Sequence, residues 1–369
     1  MTARLARGLW LGVAALLLAL PLFPVPDWTG AADQGPLWHP HLTAWALGVL
    51  LVVAVGLAAG RLAKGFHFGW RASWLHLRDP VVLVLLAAAL AALSAYTMRT
   101  VFASNPHLVD EIAQLFHARV FATGRLAAPP PEPVAAFLVP HTWITPAGWA
   151  SLYPPGHPAI LAAAMLVGAE WLVNPLLGGI GVPLVYLAAR GLYGAPTARV
   201  AAVLWAVSAW VMFMSGTYMN HVTATTLALA GWALVWAPRK RRPIHLIAAG
   251  FCFAAVTATR PLDGVAAALP VLVWLALGRR WRLAPWIAFG GVLPAVAWGY
   301  INWRLYGNPL TMGYTAVYGA EIGLGFHVDP WGESFTPAVA LSNLTVAVRR
   351  LHLYLYEWPI PALLPLGLW

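Results

Sequence analysis

An aspartate and a glutamate stand side by side, Asp110 and Glu111, in the stretch NPHLVDEIAQLFHARVFATG of a chain that is 9% charged and 61% hydrophobic. Acids in the first turn of a helix favour its dipole, which accounts for one acid on an exposed face. Two adjacent acids at a low-dielectric boundary repel each other, and repulsion raises a proton affinity toward the range a general base needs. The spacing predicts a helix with Asn105 as N-cap, Pro106 at its first position and Gly124 as its stop. On it Leu108, Ile112, Leu115, Phe116 and Val120 share one side, and His107, Asp110, Glu111, Gln114 and His117 the other. Such a helix lies on a membrane with its acids facing a cleft. Arg119 falls on the apolar side, where it reaches for lipid headgroups or for a bound phosphate.

Other polar residues gather in short motifs further on. In WASLYPPGHPAIL, Tyr153, Pro154, Pro155 and Gly156 form a rigid extended corner before His157, and a helix starts at Pro158. The free amides of that helix start suit an anion, and a stiff structural turn explains the prolines nearly as well. The stretch MSGTYMNH closes an apolar run at Asn220 and His221, and TRPLDG opens another with Arg260 and Asp263 one helical turn apart. That pair is an ion pair at a boundary, or places Arg260 at the cleft of Asp110. The other histidines, including His39, His41 and His141, show no ligand spacing, so no metal site is expected. Phosphate-cradling loops, nucleophile elbows and internal repeats are likewise missing from the sequence.

The elements that must position these residues are membrane spans. Apolar runs approaching the roughly 20 residues that cross a hydrocarbon core recur along the chain, about ten in all. They are Leu9 to Val25, Leu42 to Gly60, Val81 to Tyr96, Leu176 to Ala189, Val200 to Met214, Val222 to Ala237, Ile244 to Thr257, Val265 to Leu277, Pro285 to Asn302, and Leu351 onward. Many of the 21 tryptophans stand near run ends, where rings favour the headgroup zone. The first run, after Arg4 and Arg7, reads as a retained anchor rather than a cleaved leader. Cys252 is the only cysteine, so no disulfide forms within the chain.

Basic residues collect on the cytoplasmic side. With the N-terminus inside, most of them fall there, RKRR at Arg239 to Arg242 included. Keeping that side requires only one crossing between Ser151 and Arg190, so Pro158 to Val167 is expected to lie along the outer surface. The arginines Arg99, Arg119, Arg125, Arg260, Arg304, Arg349 and Arg350 fall outside, against the rule. Guanidinium forks suit phosphate oxygens, as in an anionic lipid head, although interfacial snorkelling also accounts for each. The acids Asp27, Asp33, Asp110, Glu111, Glu132, Asp263, Glu321, Asp329 and Glu333 are outer as well, and Asp79 is inner. The net charge of +10 comes mostly from the inner rim and implies anionic membrane lipids rather than nucleic acid as partners.

Taken in order, VDEIAQLFHARVFATGRL, SLYPPGHPAILAA, LVYLAARGLYG, GTYMNH, TRPLDG, YGNPLTMGYT and GLGFH resemble the C-type glycosyltransferases that use polyprenyl- or dolichyl-phosphate sugars. These are similar to protein O-mannosyltransferases and lipid A aminoarabinose transferases, and the resemblance runs from about Arg99 to the end. It implies an all-α polytopic fold with about ten spans and amphipathic surface helices in the first large outer loop. The boundaries expected are spans over 1–98, a catalytic loop over 99–156, a membrane core over 157–303, a second outer loop over 304–350, and the start of a further span over 351–369. The resemblance implies Asp110 as base and Glu111 as the group that positions or polarises an acceptor hydroxyl. Arg260, and after it Arg349 and Arg119, would hold the donor phosphate. Tyr153, Pro154, Pro155, Gly156 and His157 would border the cleft, with His221 and Asp263. The implied partners are a polyprenyl-phosphate sugar, an acceptor glycan, lipid or protein, and membrane lipids. No cofactor is implied, and a divalent metal stays open. The implied location is a bacterial cytoplasmic membrane, with the site on its outer side. Some relatives place a second acid near Asn220 and His221, the better-known ones have one span before the acidic pair where this chain has two extra, and relatives are usually longer, so the chain is expected to be a fragment or a trimmed form. A transporter or flippase is the alternative, but it would set ionisable groups at mid-span.

Overall fold

A computed structural model of the protein describes residues 79–137, 139–237, 242–323, 325–329 and 332–356. The expected anchor and second span, with Arg4, Arg7, Asp27, Asp33, His39 and His41, lie outside the described residues, as does RKRR up to Arg241. So does most of the run from Leu351 onward. Two compact units emerge, one of Leu77–Val207 with Val211–Gly323, the other including Ser208–Trp210 and Leu324–Trp369. The acidic pair and its surroundings belong entirely to the first.

The described fold is helical, with one small hairpin that an all-α reading does not include. In order the helices are α1 (Asp79–Tyr96), α2 (Val109–Ala122), α3 (Gly156–Met165), α4 (Val173–Tyr193), α5 (Ala195–Ala206), α6 (Ala209–Ser215), α7 (His221–Trp236), α8 (Pro243–Thr257), α9 (Pro261–Leu277), α10 (Ala284–Tyr306) and α11 (Gly313–Tyr318). The other unit contributes α12 (Pro337–Tyr354). Strands β1 (Thr142–Thr145) and β2 (Gly148–Ser151) pair antiparallel between α2 and α3.

Ten full-length spans are not what the described residues contain. Three segments are long and apolar enough to cross a membrane: Asp79–Thr100, Glu170–Tyr193 and Trp281–Tyr306. A fourth is possible if α5 and α6, bent by 55° at their break, form one span. Helices α7, α8 and α9 have 16, 15 and 17 residues, so they are apolar but short of the length usual for a crossing. The expectation that only one of the two helices between Ser151 and Arg190 crosses fits their lengths, since α3 has 10 residues and α4 lies in a 24-residue segment.

Close approach between helices rests on glycine. A Cβ at Gly250 of α8 would lie 1.8 Å from the carbonyl oxygen of Ile287, and one at Gly290 of α10 would lie 1.8 Å from that of Ile247. The two backbones touch reciprocally, as small residues permit in apolar surroundings. Behind the acidic pair, Met98, Leu115, Ala118, Leu161, Ala162, Val173 and Tyr218 form a core joining α2, α3 and α4. That core fixes the helix carrying Asp110.

Candidate active site

Helix α2 begins later than its sequence suggests. Its N-cap is Leu108, not Asn105, and Pro106 stands before the helix. Glu111 Oε2 accepts the backbone N–H of His107, one residue before the N-cap, at 3.0 Å. The stop falls as expected, with Gly124 at φ +75°.

The polar side of α2 turns toward the protein, as expected, but its apolar side is divided between core and exterior. Glu111 is 2% exposed and is buried with Gln114, His117 and Leu115, whereas Ile112 is 37% exposed and Leu108 is exposed as well. In apolar surroundings polar groups gain by turning toward protein partners, while apolar ones tolerate the outside. Burial, more than the neighbouring Asp110, raises the proton affinity of Glu111. Mutual repulsion within the pair is therefore a minor contribution. Asp110 sits at the edge of this face, its side chain 33% exposed.

The hairpin brings partners to Asp110. Register Thr142↔Ser151 through Thr145↔Gly148 leaves a two-residue turn, Pro146 and Ala147. One step outside the Thr142↔Ser151 pair, at the open end of the hairpin, the N–H of Leu152 donates to the carbonyl of His141 at 2.9 Å. His141 thus stands beside the corner that follows β2. Trp149 anchors the hairpin by stacking on Phe116 of α2, with ring centroids 4.3 Å apart, and by pairing with Ala128.

At the corner the Tyr153 hydroxyl donates to Asp110 Oδ1. Burial, reinforced by Asp110, raises the tyrosine's pKa, so the hydroxyl stays protonated and remains a donor. His141 Nε2 lies 3.4 Å from the same oxygen. Tyr314 of α11 meets the Tyr153 ring edge-on at 5.6 Å, and burial pushes its own pKa up to about 12. Among the described residues both polar contacts of Asp110 fall on Oδ1.

The corner is a junction as well as a border. The N–H of Gly156 donates to the carbonyl of Ala258 at 2.8 Å, and a Cβ there would lie 2.4 Å from Thr259 Oγ1. Helix α3 therefore starts at Gly156 with Pro155 as N-cap, two residues before the expected Pro158. His157 is fully buried, with Nε2 2.8 Å from the carbonyl of Tyr218 and Nδ1 2.8 Å from Thr223 Oγ1. Facing a carbonyl, Nε2 must carry the proton, and burial lowers the ring's pKa to about 4. His157 is thus a neutral strut holding the loop before α7, and it does not line open space.

That loop ends in Asn220, the N-cap of α7, so Asn220 and His221 open a helix rather than close one. Arg260, the N-cap of α9, donates Nε to Asp263 Oδ2, while its Nη1 reaches Asn220 Oδ1 at 3.1 Å. The charges of Asp110 and Arg260 both act on the Tyr314 hydroxyl and on the His221 ring. The structure therefore brings Asp110, Tyr153, His141, Tyr314, His221, Arg260 and Asp263 to one neighbourhood. Arg119 is exposed nine residues along α2 from Asp110, roughly 13 Å away on the opposite face. Arg349 belongs to α12 of the other unit, and its side chain lies outside the described residues. His141 and Tyr314 escape a sequence reading. Alternating TWIT and GWAS around a proline turn was the available signal for the first.

No group of three or more histidines, cysteines or acids that could hold a metal occurs among the described residues. Fold and site together define a helical membrane protein carrying a carboxylate held through one oxygen, in the same neighbourhood as an arginine. Residues 153–301 match the family of dolichyl-phosphate-mannose-protein mannosyltransferases. The match runs from the Tyr153 corner into α10, covers less than half of the chain, and begins after the acidic pair. It bears out the resemblance read in the sequence and, with it, the coarse function of a mannosyltransferase-like glycosyltransferase of membranes. No curated protein and no solved structure matches the chain.

Proposed function

We propose that the protein moves a sugar from a polyprenyl-phosphate donor to an acceptor hydroxyl on the extracytoplasmic side of a membrane, by single in-line displacement with Asp110 as base. The observation that carries this reading is the asymmetric carboxylate: Tyr153 and His141 occupy Oδ1, and Oδ2 is left for an acceptor proton. An alcohol is a poor nucleophile at neutral pH, and a positioned base contributes roughly 10² to 10⁴-fold. The acceptor oxygen forms its bond to the anomeric carbon as the bond to the lipid phosphate breaks, and the electron pair leaves with the phosphate. Displacement of this kind inverts the anomeric centre.

Arg260 is the group suited to the departing phosphate. Asp263 and Asn220 engage two of its five N–H donors and fix the guanidinium, leaving the rest to stabilise charge as it develops. Glu111, capped onto His107, holds the first turn that presents Asp110. A transporter is less well supported, because within the candidate spans α1, α4 and α10 the ionisable residues stand only near the ends.

The test is to reconstitute the full chain in liposomes and offer radiolabelled polyprenyl-phosphate mannose, arabinose and aminoarabinose in turn. Loss of label from one lipid donor to membrane acceptors is expected. Inertness toward every donor, with passage of a solute or flipping of a lipid instead, would assign the site to transport.

A further inference from the structure

We infer that His141 is a positioning residue for Asp110, holding Oδ1 together with Tyr153 so that Oδ2 alone meets the acceptor. The inference rests on the glycosyl-transfer reading above. Three features of His141 point to it. Its backbone is left-handed, φ +66°, a conformation that costs a side-chain-bearing residue energy and that persists where the surroundings enforce it. The surroundings here are the hairpin, through the 2.9 Å bond from Leu152 to the His141 carbonyl. Its ring packs edge-on against Tyr153, with centroids 5.5 Å apart, so both Oδ1 partners brace each other.

The third feature is the ring's protonation pattern. Nδ1 is buried without a hydrogen-bonding partner among the described residues, while Nε2 points at Asp110. A buried N–H with no acceptor costs more than a buried lone pair without a donor, so the proton resides on Nε2 and is donated to Oδ1. The Nε2 to Oδ1 separation of 3.4 Å is longer than a good hydrogen bond, as is common before substrate tightens a site. With both donors on one oxygen, the carboxylate cannot rotate to offer either edge. The acceptor is then approached from one direction, in line with the departing phosphate.

The experiment uses the full chain in liposomes with dolichyl-phosphate [³H]mannose, following release of label to membrane acceptors and to water. His141→Gly keeps the left-handed backbone without strain and removes only the ring. His141→Gln restores an N–H at the position of Nε2. The expected result is that kcat falls up to about 10²-fold in His141→Gly, with the donor KM within about twofold, and that His141→Gln recovers most of the loss. Equal loss in both variants, or a loss confined to KM, would make His141 a structural residue and overturn the inference. Unchanged turnover in His141→Gly, with Asp110→Asn inactive, would overturn it while leaving the glycosyl-transfer reading intact. A wild type that releases no label, also when offered the arabinose and aminoarabinose donors, would overturn both.

Discussion

Asp110 and Arg260 each acquire a function from what holds them. Free in solvent, either would be one more charge at a membrane edge. Fixed by Tyr153 and His141 in one case, and by Asp263 and Asn220 in the other, they have set directions, which is what the base and the anion clamp proposed above require. The arginine matters through its fork as well as its charge. Arg260→Ala is expected to weaken binding of a lipid-linked sugar by about 1.5–3 kcal/mol, the worth of a hydrogen bond to a charged group, and Arg260→Lys to recover only part of it. Equilibrium binding of a radiolabelled donor to the reconstituted variants checks this, and unchanged affinity in Arg260→Ala would move the phosphate elsewhere. At this scale the sequence was informative about Asp110, Arg260 and Asp263, because charges in an apolar chain stand out and the spacing of Arg260 and Asp263 fixes their contact. It was silent on Tyr314 and His141, whose importance comes from contacts distant in sequence.

At the scale of elements, the hairpin and the α3 corner assemble the site, and the buried histidines of α2 and α3 set its tolerance to acid. His117 and His157 are fully buried and their pKa values are lowered from 6.5 to about 4, first by desolvation. The unfolded chain takes up protons below about pH 6.5, whereas the folded protein takes them up at these two sites only near pH 4. Stability therefore falls as pH drops through that window and is fully retained above it. Thermal unfolding of the detergent-solubilised protein should show a midpoint that declines from pH 6.5 toward 4, and a flat profile would show that the rings are not held neutral. The inward turn of the polar side of α2 was legible, but the division of its apolar side was not. Amphipathic spacing groups Leu115 and Val120 with Leu108 and Ile112, yet the first two are buried and the last two exposed. The start of α2 was misplaced because its N-cap is Leu108, a residue type that a search for Ser, Thr, Asn or Asp before a helix does not consider. The hairpin was missed because a proline-rich approach masks four-residue strands.

At the scale of the whole molecule, composition alone established a membrane protein, and the lengths of α1, α4 and α10 agree with it. The count of spans was not legible, because apolar runs of 15 to 17 residues, as in α8 and α9, satisfy a hydropathy reading at or below the shortest length usual for a crossing. The sidedness proposed from the arginine and lysine distribution is open to direct test. Cys252 is buried, so a single introduced thiol reports its own exposure. Ala147→Cys at the exposed hairpin turn should react with a membrane-impermeant maleimide in intact cells, whereas Trp281→Cys should react only after lysis. The reverse pattern would place the site in the cytoplasm. The central claim is that Asp110 is the base of a glycosyl transfer, and Asp110→Asn tests it most directly, because the amide keeps the size of the side chain and cannot accept a proton from an alcohol. Wild type and Asp110→Asn in the same liposomes, with one radiolabelled polyprenyl-phosphate sugar, should bind the donor equally while transfer falls by about 10² to 10⁴-fold in the variant. Transfer at the wild-type rate by Asp110→Asn would contradict the account.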